Sequence, residues 1–322
     1  MCQPDGVPAS ASTPDVCVLG LGLIGGSLLR AAVRAGRTAW GYNRSEASVR
    51  AARDDGFDAG SDLVAVLRRA SESSALIVIS VPMPAVDATL AAIAEHAPNC
   101  PVTDVVSVKG KVAEAVARAG LADRYVGGHP MAGTSASGWS VGTVDLFREA
   151  VWVVGTDDGT DPAIWTQVAR LALDCGAVVV PAESTEHDSA VARISHLPHL
   201  LAETLAITGD AGGPLALGLA AGSFRDGTRV AGSAPALVRA MCEGNRDALL
   251  VALDEALVLL GDARLALGET GSTAALVEAG HAARLRYDEQ DVWEITGIVP
   301  GEDGWLDRMR DAGRRGGRLR RL

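Results

Sequence analysis

Residues 16–27 read VCVLGLGLIGGS, and this stretch decides the fold. Val16 to Leu19 are apolar and half β-branched, as expected of a buried strand. They run into Gly20, Gly22 and Gly25, spaced as G-x-G-x-x-G, and then into helical spacing over Ser27–Ala35. In that context Gly20 permits the tight turn and Gly22 lets a pyrophosphate approach the backbone. Gly25 lets the helix pack close to the strand. The helix N-terminus attracts phosphate. The stretch is therefore expected to bind a dinucleotide, with Leu23 and Ile24 in the same loop.

Outward from this loop, short apolar runs alternate with helical segments up to about Pro181. Val16–Leu19, Ala39–Tyr42, Leu76–Ser80, Val102–Val105, Val151–Val154 and Val178–Val180 read as strands. Ala85–Glu95 has helical spacing and follows Pro84, which suits a helix start. The alternation predicts a parallel sheet covered on both faces. Beyond Pro181, Glu186–Thr208, Leu215–Ala221, Ala236–Leu267 and Ser272–Asp288 are Ala/Leu-rich with helical periodicity, and strand signal returns only at Val292–Val299. The expected architecture is a Rossmann-like α/β N-terminal domain with a parallel-sheet core, followed by an all-α C-terminal domain. The divisions are a disordered tail over 1–14, a dinucleotide domain over 15–182, a helical substrate and dimerisation domain over 183–292, and an extension over 293–322. Its RRGGRLRR stretch reads as a frayed, solvated end.

The 322 residues exceed one ordinary core and fit two domains. A net charge of -11 argues against nucleic acid or an anionic membrane as partner. No run approaches the roughly 18 apolar residues of a membrane span, and residues 1–15 lack the features of a signal peptide. Cys2, Cys17, Cys100, Cys175 and Cys242 are scattered and contain no C-x-x-C, so a cytoplasmic protein without disulfides or zinc is expected. The long apolar helices exceed the needs of one small core, which predicts a homodimer through the helical domain.

A ribose 2′-hydroxyl is often held by an acid at the end of the second strand. Here the residues are Asn43, Arg44 and Ser45. Arg44 would meet a 2′-phosphate, with Asn43 and Ser45 donating hydrogen bonds, which leans towards NADP over NAD. Alternatively Arg44 stacks on adenine or faces solvent. Ser80, Val81 and Pro82, at the next strand end, are assigned to the same cofactor pocket.

Two segments after strands carry the chemistry. Residues 104–109, DVVSVK, place Ser107 where it can hydrogen-bond a substrate or a base; alternatively the segment is a capped helix start. Residues 127–134, GGHPMAGT, hold His129 between glycines and a proline, read as a loop, and a histidine suits proton transfer. In the helical half, residues 195–199, SHLPH, lack the further ligand a metal site needs. Residues 222–230, GSFRDGTRV, place arginines in a Gly-flanked loop suited to a carboxylate, unless they are surface residues paired with Asp226.

Taken in order, GLGLIGGS, D-x-x-SVK, GGHPMAG, SHLPH and FRDGTRVA resemble the prephenate/arogenate dehydrogenase family over roughly residues 15 to 290. The resemblance implies NAD(P)-dependent oxidative decarboxylation of prephenate, or of arogenate, in tyrosine biosynthesis, without a metal. It implies that His129 takes the ring hydroxyl's proton and that Ser107 orients the hydroxyl and the histidine. It further implies that Arg229 binds a substrate carboxylate and that His199 lies near the substrate. Thr134 and Ser135 are assigned to the substrate pocket, and the absence of a carboxylate over 134–137 leans towards prephenate. The chain departs from several members at Ser135, where they have Glu, and at Ala234 and Val238, where they have Asp and Trp. No regulatory ACT domain is expected after Asp288. A β-hydroxyacid or imine reductase-type dehydrogenase would share the N-terminal pattern, but it relies on a lysine in the second domain, and the only lysines here are Lys109 and Lys111. A non-catalytic dinucleotide sensor would keep the glycine loop without needing His129, Ser107 and Arg229.

Overall fold

A computed structural model describes residues 13–134 and 136–322, so Ser135 and most of the expected N-terminal tail lie outside the described residues. Six strands form one parallel sheet: β1 (Val16–Leu19), β2 (Ala39–Tyr42), β3 (Ala59–Gly60), β4 (Leu76–Ile79), β5 (Val102–Asp104) and β6 (Tyr125–Val126). Their order is β3-β2-β1-β4-β5-β6. Alternate residues of β1 feed two separate cores. Val16 and Val18 face a layer with Leu28, Leu29 and Trp165, while Cys17 and Leu19 face one with Leu67, Leu90 and Ile93. Because both faces are covered, β1 and β4 are apolar throughout rather than alternating.

The later strands do not continue this sheet as the alternation predicts. β7 (Gly128–Pro130), β8 (Val151–Gly155) and β9 (Val178–Ala182) form a second, mixed sheet. β7 runs antiparallel to β8, and β8 parallel to β9. His129 therefore sits on a strand, paired with Val153, and not in a loop. Pro130 is tolerated because β7 is an edge strand. Gly128 is required because a Cβ there would meet the Asp104 carbonyl at 2.7 Å.

After β9 the chain is helical, but with interruptions. The segment from Ser184 runs as an α-helix to Val191, a π-helical turn over Ala192–His196, and an α-helix over Leu197–Ala211. Pro198 has no amide to donate, so the regular ladder cannot pass through this point. The expected Ala236–Leu267 helix is two, Pro235–Gly244 and Arg246–Thr270, parted at Asn245. The segment around Arg225 is a short helix, Gly222–Thr228, rather than a loop.

The Arg-rich end is not frayed. A helix over Trp305–Arg314 packs Met309 into the first core and sets Trp305 edge-on to Trp165 at 5.7 Å. β10 (Trp293–Glu294) pairs with β11 (Gly317–Arg318), and Leu319 exchanges two backbone hydrogen bonds with Val179. The signal missed was Trp305, Met309, Ala312 and Leu319, four buried apolar residues spaced among charges.

Candidate active site

The carboxyl ends of β1, β2, β4 and β5 share one edge of the parallel sheet, and the chain's direction of winding changes between β1 and β4. That is where such folds bind ligands. At this edge Gly20 has φ +109°, and a Cβ on it would overlap the Ser80 carbonyl. A Cβ on Gly25 would overlap the Gly20 carbonyl. Both glycines are thus dictated by the protein's own packing, which sets Ser80, at the end of β4, against the loop. Gly22 is different: nothing lies within 4 Å of its Cβ position. It is also the N-cap of helix Leu23–Arg34, which no side chain caps. An uncapped helix start beside an open glycine fits a dinucleotide's phosphates. Leu23 and Ile24 form the first turn of that helix, while Val81 and Pro82 continue from Ser80.

At the end of β2 the Asn43 side-chain oxygen accepts the Ser45 amide at 3.1 Å, and the Ser45 hydroxyl accepts the Ser48 amide at 3.4 Å. Both side chains shape the turn. Arg44 between them is exposed and has no ion-pair partner among the described residues.

The next strand end is a buried polar knot. Asp104, fully buried, accepts from Lys109 Nζ, from the Tyr125 hydroxyl and, at 2.7 Å, from the Val106 amide. Lys109 also donates to the Gly128 carbonyl at 2.7 Å, tethering β7. Burial lowers the Lys109 ammonium's pKa, opposed by Asp104. Ser107 is half-buried and makes no hydrogen bond among the described residues.

His129 projects from β7 beside this knot. Its Nδ1 lies 2.8 Å from Nε2 of His187, and the rings meet at 73°. His187 Nδ1 in turn lies 2.8 Å from Asp188. The Asp188 carboxylate also accepts the Lys109 and Gly110 amides, each at 2.8 Å. Burial first, then His187, Lys109 and His196, holds the His129 imidazole well below the usual histidine range, so it is neutral at pH 7. The segment following β7 crosses the dinucleotide helix: Arg30 lies over the Trp139 ring at 3.5 Å, and the Thr143 amide donates to Ser27 Oγ at 3.0 Å. The neutral His129 is thus bonded to a histidine of the helical region, and the chain that follows its strand is fastened to the glycine-loop helix.

The π-helical turn sends two histidines different ways. His196 is buried, its Nδ1 accepts from Asn245 Nδ2 at 3.1 Å, and its Nε2 has no partner among the described residues. Burial pulls its pKa down to about 4. His199 is half-buried, and its Nδ1 meets the Ser195 carbonyl at 2.9 Å, which leaves Nε2 free. Arg229 is exposed at the end of helix Gly222–Thr228 and forms no ion pair with Asp226. Thr134 is exposed, with its hydroxyl accepting the Ala136 amide. Val238 is buried against Cys242 and Leu249.

The sequence reading missed His187, Asp188 and Asn245, and gave His196 of the SHLPH stretch no role in the site. For His187 and Asp188 the available signal was TEHD at residues 185–188, a polar cluster opening an otherwise Ala/Leu-rich helical stretch.

Two family models match this chain. The prephenate dehydrogenase nucleotide-binding domain matches residues 26–181, and the prephenate dehydrogenase dimerization domain matches residues 183–268. The chain is 33% identical over 254 residues to a prephenate dehydrogenase of Bacillus subtilis, an alignment covering 74% of this chain and 66%, about two thirds, of that protein's length. A solved Corynebacterium glutamicum chain, itself only provisionally called a prephenate dehydrogenase, is 50% identical, with a TM-score of 0.91 and coverage of 95% of this chain and 98% of that one. A prephenate dehydrogenase from A. aeolicus, solved with hydroxyphenyl propionate and NAD+, is 26% identical with a TM-score of 0.78, covering 88% of this chain and 100% of the other.

Proposed function

This chain belongs to the prephenate dehydrogenase family, and from that premise we propose that it oxidatively decarboxylates prephenate to 4-hydroxyphenylpyruvate in the cytoplasmic route to tyrosine. The observation that carries the reading is a neutral His129, hydrogen-bonded to a second histidine, on a strand whose following segment is bonded to the dinucleotide helix. A bound nicotinamide would accept the hydride from the ring carbon that bears the hydroxyl.

His129 takes the hydroxyl proton as that hydride leaves, so the O–H bond breaks and an N–H bond forms. The ring's C–C bond to its carboxylate then breaks, carbon dioxide leaves, and the electron pair aromatises the ring. The phenolate oxygen so formed takes back the proton that His129 holds. Ser107 hydrogen-bonds the hydroxyl, Arg229 receives a carboxylate, and His199, Thr134 and Ser135 border the substrate. Arg44 favours NADP because it is an exposed cation at the β2 turn with no ion-pair partner among the described residues. Prephenate is favoured over arogenate because residues 134–137 supply no carboxylate for an ammonium. The dimer forms through the helical region, where Ile207, Leu215 and Leu219 are 70%, 74% and 75% exposed.

The test is prephenate-dependent reduction of NAD+ or NADP+ at 340 nm with matching release of carbon dioxide. His129→Asn should lower kcat by about 10²–10⁴ while dinucleotide binding holds. Cofactor reduction indifferent to prephenate, or a His129→Asn enzyme of near wild-type turnover, would sink the proposal.

A further inference from the structure

We infer that His187 is a positioning residue that, backed by Asp188, fixes the tautomer of His129 so that Nε2 carries the lone pair facing the substrate. This rests on the reading of His129 as the base. Asp188 accepts the amides of Lys109 and Gly110 at the start of the nine-residue helix Gly110–Arg118. Burial opposes its charge, but the His187 bond and those two amides outweigh it and lower its pKa. An ionised carboxylate has only acceptor sites, so the His187 nitrogen that meets it, Nδ1, carries the hydrogen. In neutral His187 the remaining nitrogen, Nε2, is then an acceptor. The atom 2.8 Å away, His129 Nδ1, must be the donor. His129 is left with its free lone pair on Nε2. Were His187 protonated on both nitrogens, the bond would reverse, and His129 would present an N–H where the base is needed.

The charges around the pair favour this arrangement. Lys109 faces it from the helix start and His196 from the π-helical turn, with Asp188 behind His187 and Asp104 bound to Lys109. One ammonium against Asp104, Asp188 and, further out, Asp157 leaves a surplus of negative charge while both histidines are neutral. When His129 Nε2 takes the hydroxyl proton, that surplus is reduced. The Nδ1–H bond to His187 then becomes charge-assisted. Ser107 does not supply this restraint, because it makes no hydrogen bond among the described residues.

The tautomer is read directly on the resting full-length protein by long-range ¹H–¹⁵N NMR with ¹⁵N-histidine labelling. His129 and His187 are both expected protonated at Nδ1 and bare at Nε2. His187→Leu removes the acceptor and should lower kcat by about 10²-fold, by analogy with the loss of other tautomer-fixing partners. KM for prephenate and dinucleotide Kd should stay within about two-fold. The acidic limb of kcat should also move, because His187 acts on the His129 imidazolium both as a neighbour that depresses its pKa and as the acceptor of its Nδ1–H. His187→Gln restores an acceptor oxygen and should recover most of the rate and the limb, which a merely structural role would not produce. A spectrum showing His129 protonated at Nε2 overturns the inference. So does a His187→Leu enzyme with unchanged kcat and acidic limb, or a Gln variant no better than Leu. A wild type that ignores prephenate would instead overturn the proposed reaction, while the spectrum would still decide the tautomer.

Discussion

Replacing Lys109 by Met tests whether the buried knot at the end of β5 holds β7 in place. The Lys109 and Asp104 side chains are 2% and 0% exposed, so neither charge has water to fall back on. Met keeps the length of the stem but removes the ammonium. Asp104 then remains a buried carboxylate with three neutral donors, from Val106, Tyr125 and Gly128. Losing one partner of a buried pair typically costs about 3–5 kcal/mol, and the three surviving donors put this case at the lower end. The Gly128 carbonyl also loses a hydrogen bond, worth roughly 1 kcal/mol. A loss of about 4 kcal/mol is therefore expected. Urea unfolding at fixed protein concentration measures it as a lower midpoint with an unchanged slope. Adding Asp104→Asn to the variant should recover part of the loss, with a coupling energy of about 2 kcal/mol or more. A single-variant loss below about 1 kcal/mol, or additive effects, would refute the knot as a structural anchor.

Gly22→Ala should fold normally, because its Cβ meets nothing, yet weaken the dinucleotide Kd; Gly20→Ala should destabilise the fold outright, and equal unfolding midpoints for the two variants would contradict this. Arg44→Ala should weaken NADP far more than NAD in a titration, and equal losses would return Arg44 to solvent. Arg229→Ala should cost roughly 2–5 kcal/mol of substrate binding, read as a raised KM with the cofactor Kd unchanged. His196, held at about 4 by burial, stays neutral in the fold while the unfolded chain protonates from its ordinary value downward. Its contribution is full above about pH 6.5 and is lost as pH falls towards 4, by about 2 kcal/mol after allowing for solvent screening. A His196→Gln variant should show a correspondingly flatter decline in urea midpoint between pH 7 and 4.5.

Local patterns in the sequence carried the first sheet well. β1 and β4 are apolar runs bounded by glycines or polar turns, as expected of parallel strands buried on both faces, and β2 follows closely, whereas β5 carries the buried polar pair Thr103 and Asp104. Partner choice is a different matter. Val151–Gly155 and Val178–Ala182 have the same composition as the first strands, so nothing local shows that they pair with Gly128–Pro130 in another sheet. The dinucleotide loop was legible because its glycines answer to contacts a few residues away, whereas His187 and Asp188 acquire meaning only across 58 and 79 residues of chain, at His129 and Lys109. The π-helical turn before Pro198 was hinted at by the proline. Its effect, burying His196 while half-exposing His199, depends on the helices packed around it.

The return of residues 317–319 to β9 gives the order of synthesis a physical consequence. β9 leaves the ribosome long before its outer neighbour, with the whole helical region made in between. Through that interval Val178, Val179 and Val180 present an open, apolar strand edge, the kind of template on which other chains pair. The edge is closed when Leu319 bonds Val179 on both sides and Arg314 grips Glu183 and Glu186. A nascent or truncated chain ending before residue 317 would carry an intact glycine loop and yet be the aggregation-prone form of this protein, and its solubility rather than its cofactor affinity would betray the missing clasp.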